Sequence, residues 1–398
     1  MPGSLILQGM VFDDLSWSDS EESLVYESRF SAERAVSPVD GSLRWVVLDP
    51  SLVIHAEGTD FCWGLYGADR SPNTIRVYAG RTAVFLGWCS AGGVDWKTVG
   101  LGELARFKAW LEMTPSRSGY RKAGTVDAIL IAVCEFLRFC ARTGRIDSRV
   151  ADQLVELRWL AFLPAGFDRG ERGQCRTVRV RQVRARAQTV FPEALSPEQS
   201  NVVFTACRRP REVFIVCLLH DSGLRIGEAL GLRREDMHLL PDSRSLGCAV
   251  VGAHLHVRRR ANPNGTLAKS RYPRMVPASE AILSAYADYA FERDAILGDD
   301  DSDFVLVNLY HTPLGKPMTY RGAKGLFERL AGQTGFPLRP HMFRHTAATN
   351  WVRAGVDVDV VQRLLGHAVP ASTLVYLHAR DEDRRRAVEA VAAGELYR

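Results

Sequence analysis

Lysine is scarce in this 398-residue chain: Lys97, Lys108, Lys122, Lys269, Lys316 and Lys324 stand against 45 arginines. The flat guanidinium fork suits phosphate recognition, and a GC-rich coding bias gives the same skew. On either account, each of the six lysines marks a place where arginine was not used. Long apolar runs are missing as well. No stretch approaches the roughly 18 apolar residues that a membrane-spanning helix needs, so no membrane partner is expected. Met1–Met10 holds no basic residue and acidic residues follow it, which is not the pattern of a secretory leader. The eight cysteines (62, 89, 134, 140, 175, 207, 217 and 248) include no C-x-x-C pair, and several lie in apolar runs such as Val213–Leu219. That pattern points to buried free thiols in a reducing compartment and away from zinc. There is no G-x-x-x-x-G-K-[ST] loop to cradle a nucleotide phosphate, and no repeat of 20–50 residues.

With 46% hydrophobic and 24% charged residues, the chain has ordinary globular composition. At about 100–200 residues per domain, its length suggests two or three domains. The net charge of +5 is a sum of unlike parts. Residues 1–66 carry 3 basic and 11 acidic side chains, residues 67–190 carry 21 and 11, and residues 191–398 carry 27 and 24. A basic middle suggests a polyanionic partner.

Residues 1–51 read as an acidic, weakly periodic extension with strand character at Leu43–Leu48. From Ser71-Pro72-Asn73-Thr74, a helix-start signature, apolar residues fall at helical spacing: Ile75, Tyr78, Ala79, Thr82, Phe85 and Leu86. Further helices are expected over Leu101–Leu111, from Gly124 to Thr143, and over Ser148–Leu157. Residues 52–166 are therefore expected to form an all-α domain. Residues 167–193 form an arginine-rich linker, in which Arg176, Arg179, Arg181, Arg184 and Arg186 are candidates for phosphate-backbone contact. A last domain, residues 194–398, opens at Leu195-Ser196-Pro197-Glu198 with Ser before Pro at the first helical position. It reads as an apolar helix at Val213–His220, then strands at Gly247–Val257 and Arg274–Val276. Helices are expected next at Ser279–Ala295, Thr319–Thr334, His341–Ala354, Asp357–Leu365, Ser372–His378 and Asp381–Ala393. The expected fold class is mainly α with a small antiparallel β-sheet.

Four motifs in this last domain carry chemistry. In Ser222-Gly223-Leu224-Arg225-Ile226-Gly227-Glu228, the i, i+3 pair Arg225 and Glu228 is either a surface ion pair or a phosphate ligand with its orienting carboxylate. Lys269 comes after the turn Asn262-Pro263-Asn264-Gly265; lysine can give up a proton near neutral pH, and arginine cannot. In His341-Met342-Phe343-Arg344-His345, the two histidines at i, i+4 lack the Glu of H-E-x-x-H and a third ligand, so no metal is expected there. Leu364-Leu365-Gly366-His367 is followed by Tyr376 nine residues on, and a tyrosine in such a place is core, surface anchor or nucleophile. Arg258, Arg259 and Arg260, beside the hairpin, are further candidates for phosphate contact or a solvated strand end.

Taken in order, Arg225, Lys269, His341-x-x-Arg344, Leu365-Gly366-His367 and Tyr376 resemble the tyrosine recombinase (phage integrase) family. The resemblance is strong over Leu195–His378. It implies a catalytic domain of that family preceded by an all-α, SAM-like core-binding domain. It also implies DNA cleavage through a covalent 3′-phosphotyrosine, followed by rejoining. The implied roles are Tyr376 as nucleophile, Arg225, Arg344 and His367 on the non-bridging oxygens, and His341 as base. Lys269 is the acid for the leaving 5′-oxygen and Glu228 supports Arg225. Neither metal nor ATP is implied. The implied partners are double-stranded DNA, clamped by the two domains, and further copies of the chain in a tetramer, with accessory proteins left open. A bacterial cytoplasmic, nucleoid-associated setting and a mobile-element enzyme, integrase or transposase, are implied by the same resemblance, as is a C-terminal tail that docks on a neighbouring subunit. A type IB topoisomerase-like enzyme and a catalytically silent DNA-binding protein are the competing readings.

Overall fold

The computed structural model describes residues 29–37, 41–116, 119–159, 177–185, 193–268, 270, 272–367, 371–376 and 388–389. It divides into two units, residues 1–189 and 190–398.

In the first unit, strands β1 (Ser31–Val36) and β2 (Leu43–Leu48) pair as an antiparallel hairpin. Helices α1 (Ala56–Gly67), α2 (Pro72–Ala91), α3 (Leu101–Met113), α4 (Ala123–Arg142) and α5 (Ser148–Gln153) come next. Ser71 caps α2 as its sequence announces, accepting from the Thr74 amide with Pro72 in the first turn. The apolar positions of α4, Val126, Ile129, Leu130, Val133, Phe136, Leu137 and Cys140, are all buried. They meet Phe85, Leu86, Phe107 and Leu111 in one core, and burying a side chain of this size contributes about 1.5–3 kcal/mol.

Three features differ from the sequence expectation. Val47 of β2 belongs to this core, so residues 31–48 are not a separate extension. Helix α5 stops at Gln153, and residues Val155–Trp159 form a strand, β3, antiparallel to β4 (Thr177–Arg181). Part of the arginine-rich linker is thus structured: Arg181 donates to both oxygens of Asp127, and Ala185 is buried in the core.

The second unit opens with α6 (Pro197–Ala206), whose Ser196 and Gln199 form a reciprocal capping box. Helix α7 (Pro210–Ser222) is buried on most of its circumference and packs on α9 (Glu280–Leu297) and α11 (Pro340–Arg353). Phe214 stacks on Tyr289, whose hydroxyl donates to the Val305 carbonyl. The short α8 (Ile226–Ala229) comes directly after α7. Strands β5 (Met237–His238), β6 (His254–Val257) and β7 (Arg274–Pro277) form an antiparallel sheet in that order. Helices α10 (Tyr320–Thr334), α12 (Val358–Leu365) and α13 (Ala371–Leu374) complete the unit. β6 is shorter than the expected Gly247–Val257 because Gly247 and Gly252 take positive φ and bend the chain ahead of it. The helix expected over Asp381–Ala393 lies outside the described residues, apart from 388–389. Among the described residues, no helix is long and apolar enough to cross a membrane.

The turn between α7 and α8 is sterically tight. Gly223 ends α7 at φ 62°, in the left-handed region, and a Cβ there would lie 3.0 Å from the Trp351 ring and 3.3 Å from Leu365. Gly223→Ala is therefore expected to destabilise the protein by about 1–3 kcal/mol in equilibrium denaturant unfolding. A change under about 0.5 kcal/mol, the range of an ordinary surface substitution, would show that the turn is not constrained this way.

Candidate active site

Arg225 sits where α7 has turned back, at the N-cap of α8, and Glu228 is three residues on. The expected pair on one helix face is in fact a one-sided cap, in which the Glu228 carboxylate accepts both bonds. The Arg225 amide donates to Glu228 Oε2 at 2.9 Å, and Arg225 Nη1 donates to Glu228 Oε1 at 3.0 Å. A second arginine joins them. Arg274, the first residue of β7, donates from Nη2 to Glu228 Oε2 at 2.7 Å and from Nη1 to Oε1 at 3.2 Å. Its Nε donates to the Leu364 carbonyl at 2.9 Å. Glu228 is 2% exposed. Burial alone would raise its carboxyl pKa, but hydrogen bonding and charge from Arg274, then from Arg225, outweigh burial and hold it below the ordinary range.

Gly366 of the Leu-Gly-His motif owes its identity to this arrangement. It closes α12 at φ 64°, and a Cβ there would sit 2.9 Å from Arg274 Nη1. Only glycine lets the Arg274 side chain pass.

Arg344, in the first turns of α11, is 1% exposed. Its Nη1 donates to the Gly223 carbonyl at 2.8 Å and its Nη2 to the Leu365 carbonyl at 2.6 Å. These two carbonyls belong to the ends of α7 and α12, so the guanidinium stitches two helix C-termini together. Its Nε is buried with no hydrogen-bond partner among the described residues. Burial, followed by the charge of Arg225, brings the guanidinium down to about 9. It is still protonated at neutral pH, and the site therefore holds a buried cation with an unused donor.

Tyr376 is 8% exposed and packs in a small cluster with Ala348, Val361 and Leu365. Its hydroxyl lies 2.8 Å from His345 Nδ1. Burial raises its phenol pKa, and the nearby charges of Arg344 and Arg225 oppose the rise without cancelling it. Burial, then the neighbouring His341 and Arg344, drives the His345 imidazole down to about 4, so the ring is neutral at physiological pH. His367 is similar. Burial, then Arg344, Arg225 and Arg274, lower it to about 4, and its Nδ1 is 2.9 Å from the hydroxyl of the fully buried Thr373. Its ring lies parallel to that of Tyr376 with centroids 6.4 Å apart.

Four of the six expected residues, Arg225, Arg344, His367 and Tyr376, thus converge from four chain segments. His341 differs from expectation. It is exposed at the start of α11, and its ring meets His345 edge-on at 4.4 Å, so the imidazole touching the phenol is His345. The two histidines share one face of α11, and Tyr376 meets that face one turn further along the helix than His341. Lys269 lies outside the described residues, as do Arg176, Arg186 and the side chain of Arg179.

Among the other candidate phosphate ligands, Arg181 is committed to Asp127 and Arg260 to Asp236 and Glu235. Arg258 is more exposed and 3.7 Å from Asp236, and Arg184 and Arg259 are exposed. Sequence reasoning does not single out Arg274, His345 or Thr373. His345 stands inside a quoted motif and Arg274 opens an expected strand, but nothing in residue type or spacing separates them from solvated neighbours. The described cysteines are free, and Cys62, Cys89, Cys134, Cys140 and Cys217 are buried. Burial raises these five thiols, as far as about 12 for Cys62, Cys89, Cys140 and Cys217. Cysteine spacing points away from zinc, and it does not foresee one cluster of zinc-type ligands. His238, Cys248, His254 and His256 gather at the β5–β6 edge, apart from the residues around Tyr376.

Residues 193–383 match the phage integrase family. The chain is 29% identical to Transposase A from transposon Tn554 of Staphylococcus aureus over 359 residues, covering 86% of this chain and 92% of that protein. It is 29% identical to tyrosine recombinase XerC of Listeria monocytogenes over 208 residues, covering 50% of this chain and 61% of that one. Among solved structures, the Tn1549 transposon integrase in complex with a circular intermediate DNA aligns with a TM-score of 0.56 at 18% identity, over 84% of this chain and 99% of that one. A lambda integrase dimer bound to a core site aligns at 0.54 and 13% identity, over 82% and 96%. At such identities the structural likeness concerns the fold, which is the expected one: mainly helical, with small antiparallel sheets.

Because Glu228 is the only carboxylate hydrogen-bonded to Arg225 and Arg274 among the described residues, Glu228→Gln should leave two cations facing a neutral amide. We expect a loss of about 3–5 kcal/mol in folding stability, the cost of breaking a buried pair from one side, measured by denaturant unfolding. A loss below about 1 kcal/mol would mean that the carboxylate is dispensable to the fold.

Proposed function

We propose, from the match of residues 193–383 to the phage integrase family, that the chain is a site-specific tyrosine recombinase that uses Tyr376 as its nucleophile. The observation that carries the assignment is the Tyr376 hydroxyl, hydrogen-bonded to a neutral, partly buried imidazole and within the field of two arginines from separate segments.

In the proposed reaction, Tyr376 Oη attacks a backbone phosphorus as its proton passes to His345 Nδ1. That direction requires the His345 ring proton to sit on Nε2. A ring held at about 4 is free to accept throughout the neutral range. The phosphorus–O5′ bond breaks, leaving the 3′-phosphate on Tyr376, and the departing 5′-oxygen takes a proton from Lys269. Extra negative charge on the non-bridging oxygens is met by Arg225, by Arg344 and by His367. The Arg344 Nε, buried with no partner among the described residues, is a donor desolvated before the charge develops. Thr373 holds His367 by its Nδ1, leaving Nε2 for the phosphate. His341 supports the His345 ring. Rejoining reverses the steps with a new 5′-hydroxyl as attacker, and the phosphotyrosine conserves the energy of the broken linkage.

The likeness to Transposase A over 92% of that protein's length supports a transposon enzyme, an integrase or transposase of a mobile element. We further propose double-stranded DNA as the substrate, a tetramer in the synaptic complex, and action in the bacterial cytoplasm at the nucleoid. Among the basic residues offered for phosphate contact, Arg184, Arg258 and Arg259 suit the role better than Arg181 and Arg260, whose charges are already paired.

Two experiments test the chemistry. Tyr376→Phe should abolish covalent trapping on a nicked suicide substrate while duplex binding changes less than about threefold, since one hydroxyl contributes little beside the phosphate contacts. A retained covalent adduct would move the nucleophile elsewhere. Lys269→Ala should cut cleavage by about 10²–10⁴, the usual weight of a general acid, and regain it on a substrate with a 5′-bridging phosphorothiolate, whose leaving group needs no proton. Equal defects on both substrates would take the acid role away from Lys269.

A further inference from the structure

We propose that His238, Cys248, His254 and His256 form a tetrahedral Zn²⁺ site that ties the loop of residues 239–253 to the three-stranded sheet. The sheet itself aligns the histidines. His254 and His256 are two apart on β6 and so share a face, and His238 of β5 is the ladder partner of His254. Three imidazoles on one face crowd to ring-centroid separations of 4.5–4.9 Å. The fourth donor arrives from the loop. A turn at Ser243–Cys248, closed by the Cys248 amide on the Ser243 carbonyl and by Gly247 at φ 75°, brings the thiol over them. One donor atom from each residue then lies within 4.8 Å of every other.

The spacing is that of a coordination shell. His254 Nε2 and His256 Nε2 are 3.1 Å apart, and Cys248 Sγ is 3.4 Å from the first and 3.5 Å from the second. With Zn–N near 2.0–2.1 Å and Zn–S near 2.3 Å, tetrahedral edges come to about 3.4 Å between nitrogens and about 3.6 Å between sulfur and nitrogen.

The protons agree. His254 Nδ1 is 2.7 Å from the Gly252 carbonyl, which can only accept, so the proton is on Nδ1 and Nε2 presents a lone pair. His238 Nε2 is 3.3 Å from the Glu235 carbonyl, which leaves a lone pair on Nδ1, and that atom is buried with no hydrogen-bond partner among the described residues. Carbonyl contacts of this kind fix ligating imidazoles in metal sites. A purely hydrogen-bonded cluster would leave His238 Nδ1 orphaned, whereas a cation satisfies it. Three imidazoles and one thiolate exclude the hard ions Ca²⁺ and Mg²⁺, and four protein ligands in a closed shell mark a structural site, not a catalytic one. The brace has a target. β6 pairs with β7, where Val257 faces Arg274, so the ion would fix the strand alongside the one whose first residue holds Glu228.

The test uses the full-length protein, loaded with Zn²⁺ and dialysed to constant metal content, with metal measured by plasma mass spectrometry. We expect about one Zn²⁺ per chain. The Co²⁺-substituted protein should show tetrahedral visible bands together with thiolate-to-cobalt charge transfer. Cys248→Ser, a conservative change at a half-exposed position, should abolish the charge transfer and weaken Zn²⁺ competition against a chromophoric chelator by at least about 100-fold, since loss of a ligand exceeds the 10–100-fold typical of losing its supporting contacts. His345→Ala, outside the cluster, should load fully. Wild-type protein that retains no Zn²⁺ would overturn the proposal. So would a Cys248→Ser, His256→Ala double variant, folded by circular dichroism, that keeps full loading.

Discussion

One buried carboxylate organises the second unit. Glu228 accepts from Arg225 within its own helical turn and from Arg274 across the sheet, and Arg274 in turn holds the end of α12 through Leu364. Three segments far apart in sequence are therefore fixed by a single −1 charge. The geometry is over-determined: two guanidinium groups, one backbone amide and two carboxylate oxygens use the acceptor capacity of the group almost fully. Such a pair adds little net stability compared with an apolar core. What it adds is position, because a buried carboxylate with several donors has few alternative arrangements of comparable energy.

Position matters because the site is desolvated. Burial lowers Arg344, His345 and His367 together and raises Tyr376. All four shifts favour the neutral form, which is the signature of desolvation. Only the arginines have enough reserve to stay charged. The result is a pocket with permanent cations and uncharged imidazoles, in which the positive field comes from groups that cannot lose it at physiological pH. Lysine in the place of Arg344 would begin some two pH units nearer to neutrality, and the same burial would leave it partly uncharged. This gives the chain's preference for arginine a physical reason at one position, whatever its cause elsewhere.

Legibility from sequence tracks the range of the interaction. Caps and helical periodicity are local, so Ser71, Ser196 and the apolar stripe of α4 are readable and the elements lie close to where they are expected. Tyr376, Arg225, Arg344 and His367 are readable as an ordered set, although each alone is weak. What sequence misses is tertiary. The resemblance points to His341 and not His345; the two share one face of α11 a turn apart, and sequence does not tell at which height along the helix the tyrosine segment meets it. Arg274 escapes notice because its role depends on strand register and on the absence of a side chain at Gly366. α1 and the hairpin of β1 and β2 are hidden for a different reason: an acidic, mixed-polarity stretch masks its few core residues, of which Val47 is fully buried.

The His238, Cys248, His254 and His256 group shows the same limit in a sharper form. His254-x-His256 is an alternation that places two imidazoles on one strand face, and it is visible in the sequence. Paired cysteines are the usual sign of zinc ligands, and by that sign the chain has none. A strand supplies two ligands two residues apart just as a C-x-x-C turn supplies two ligands three apart. The remaining two are recruited by ladder pairing and by a glycine-bent loop, neither of which leaves a spacing rule in the sequence. Burial raises the thiols of Cys62 and Cys217 to about 12, and the Asp221 carboxylate adds to the rise at Cys217. Cys248 is placed differently, with its sulfur 3.4 Å from His254 Nε2 and 3.5 Å from His256 Nε2. Cysteine number and spacing are therefore poor guides in this chain. The environment of Cys248, the one cysteine hydrogen-bonded to imidazoles among the described residues, and not the count of eight, decides where ligand chemistry is available.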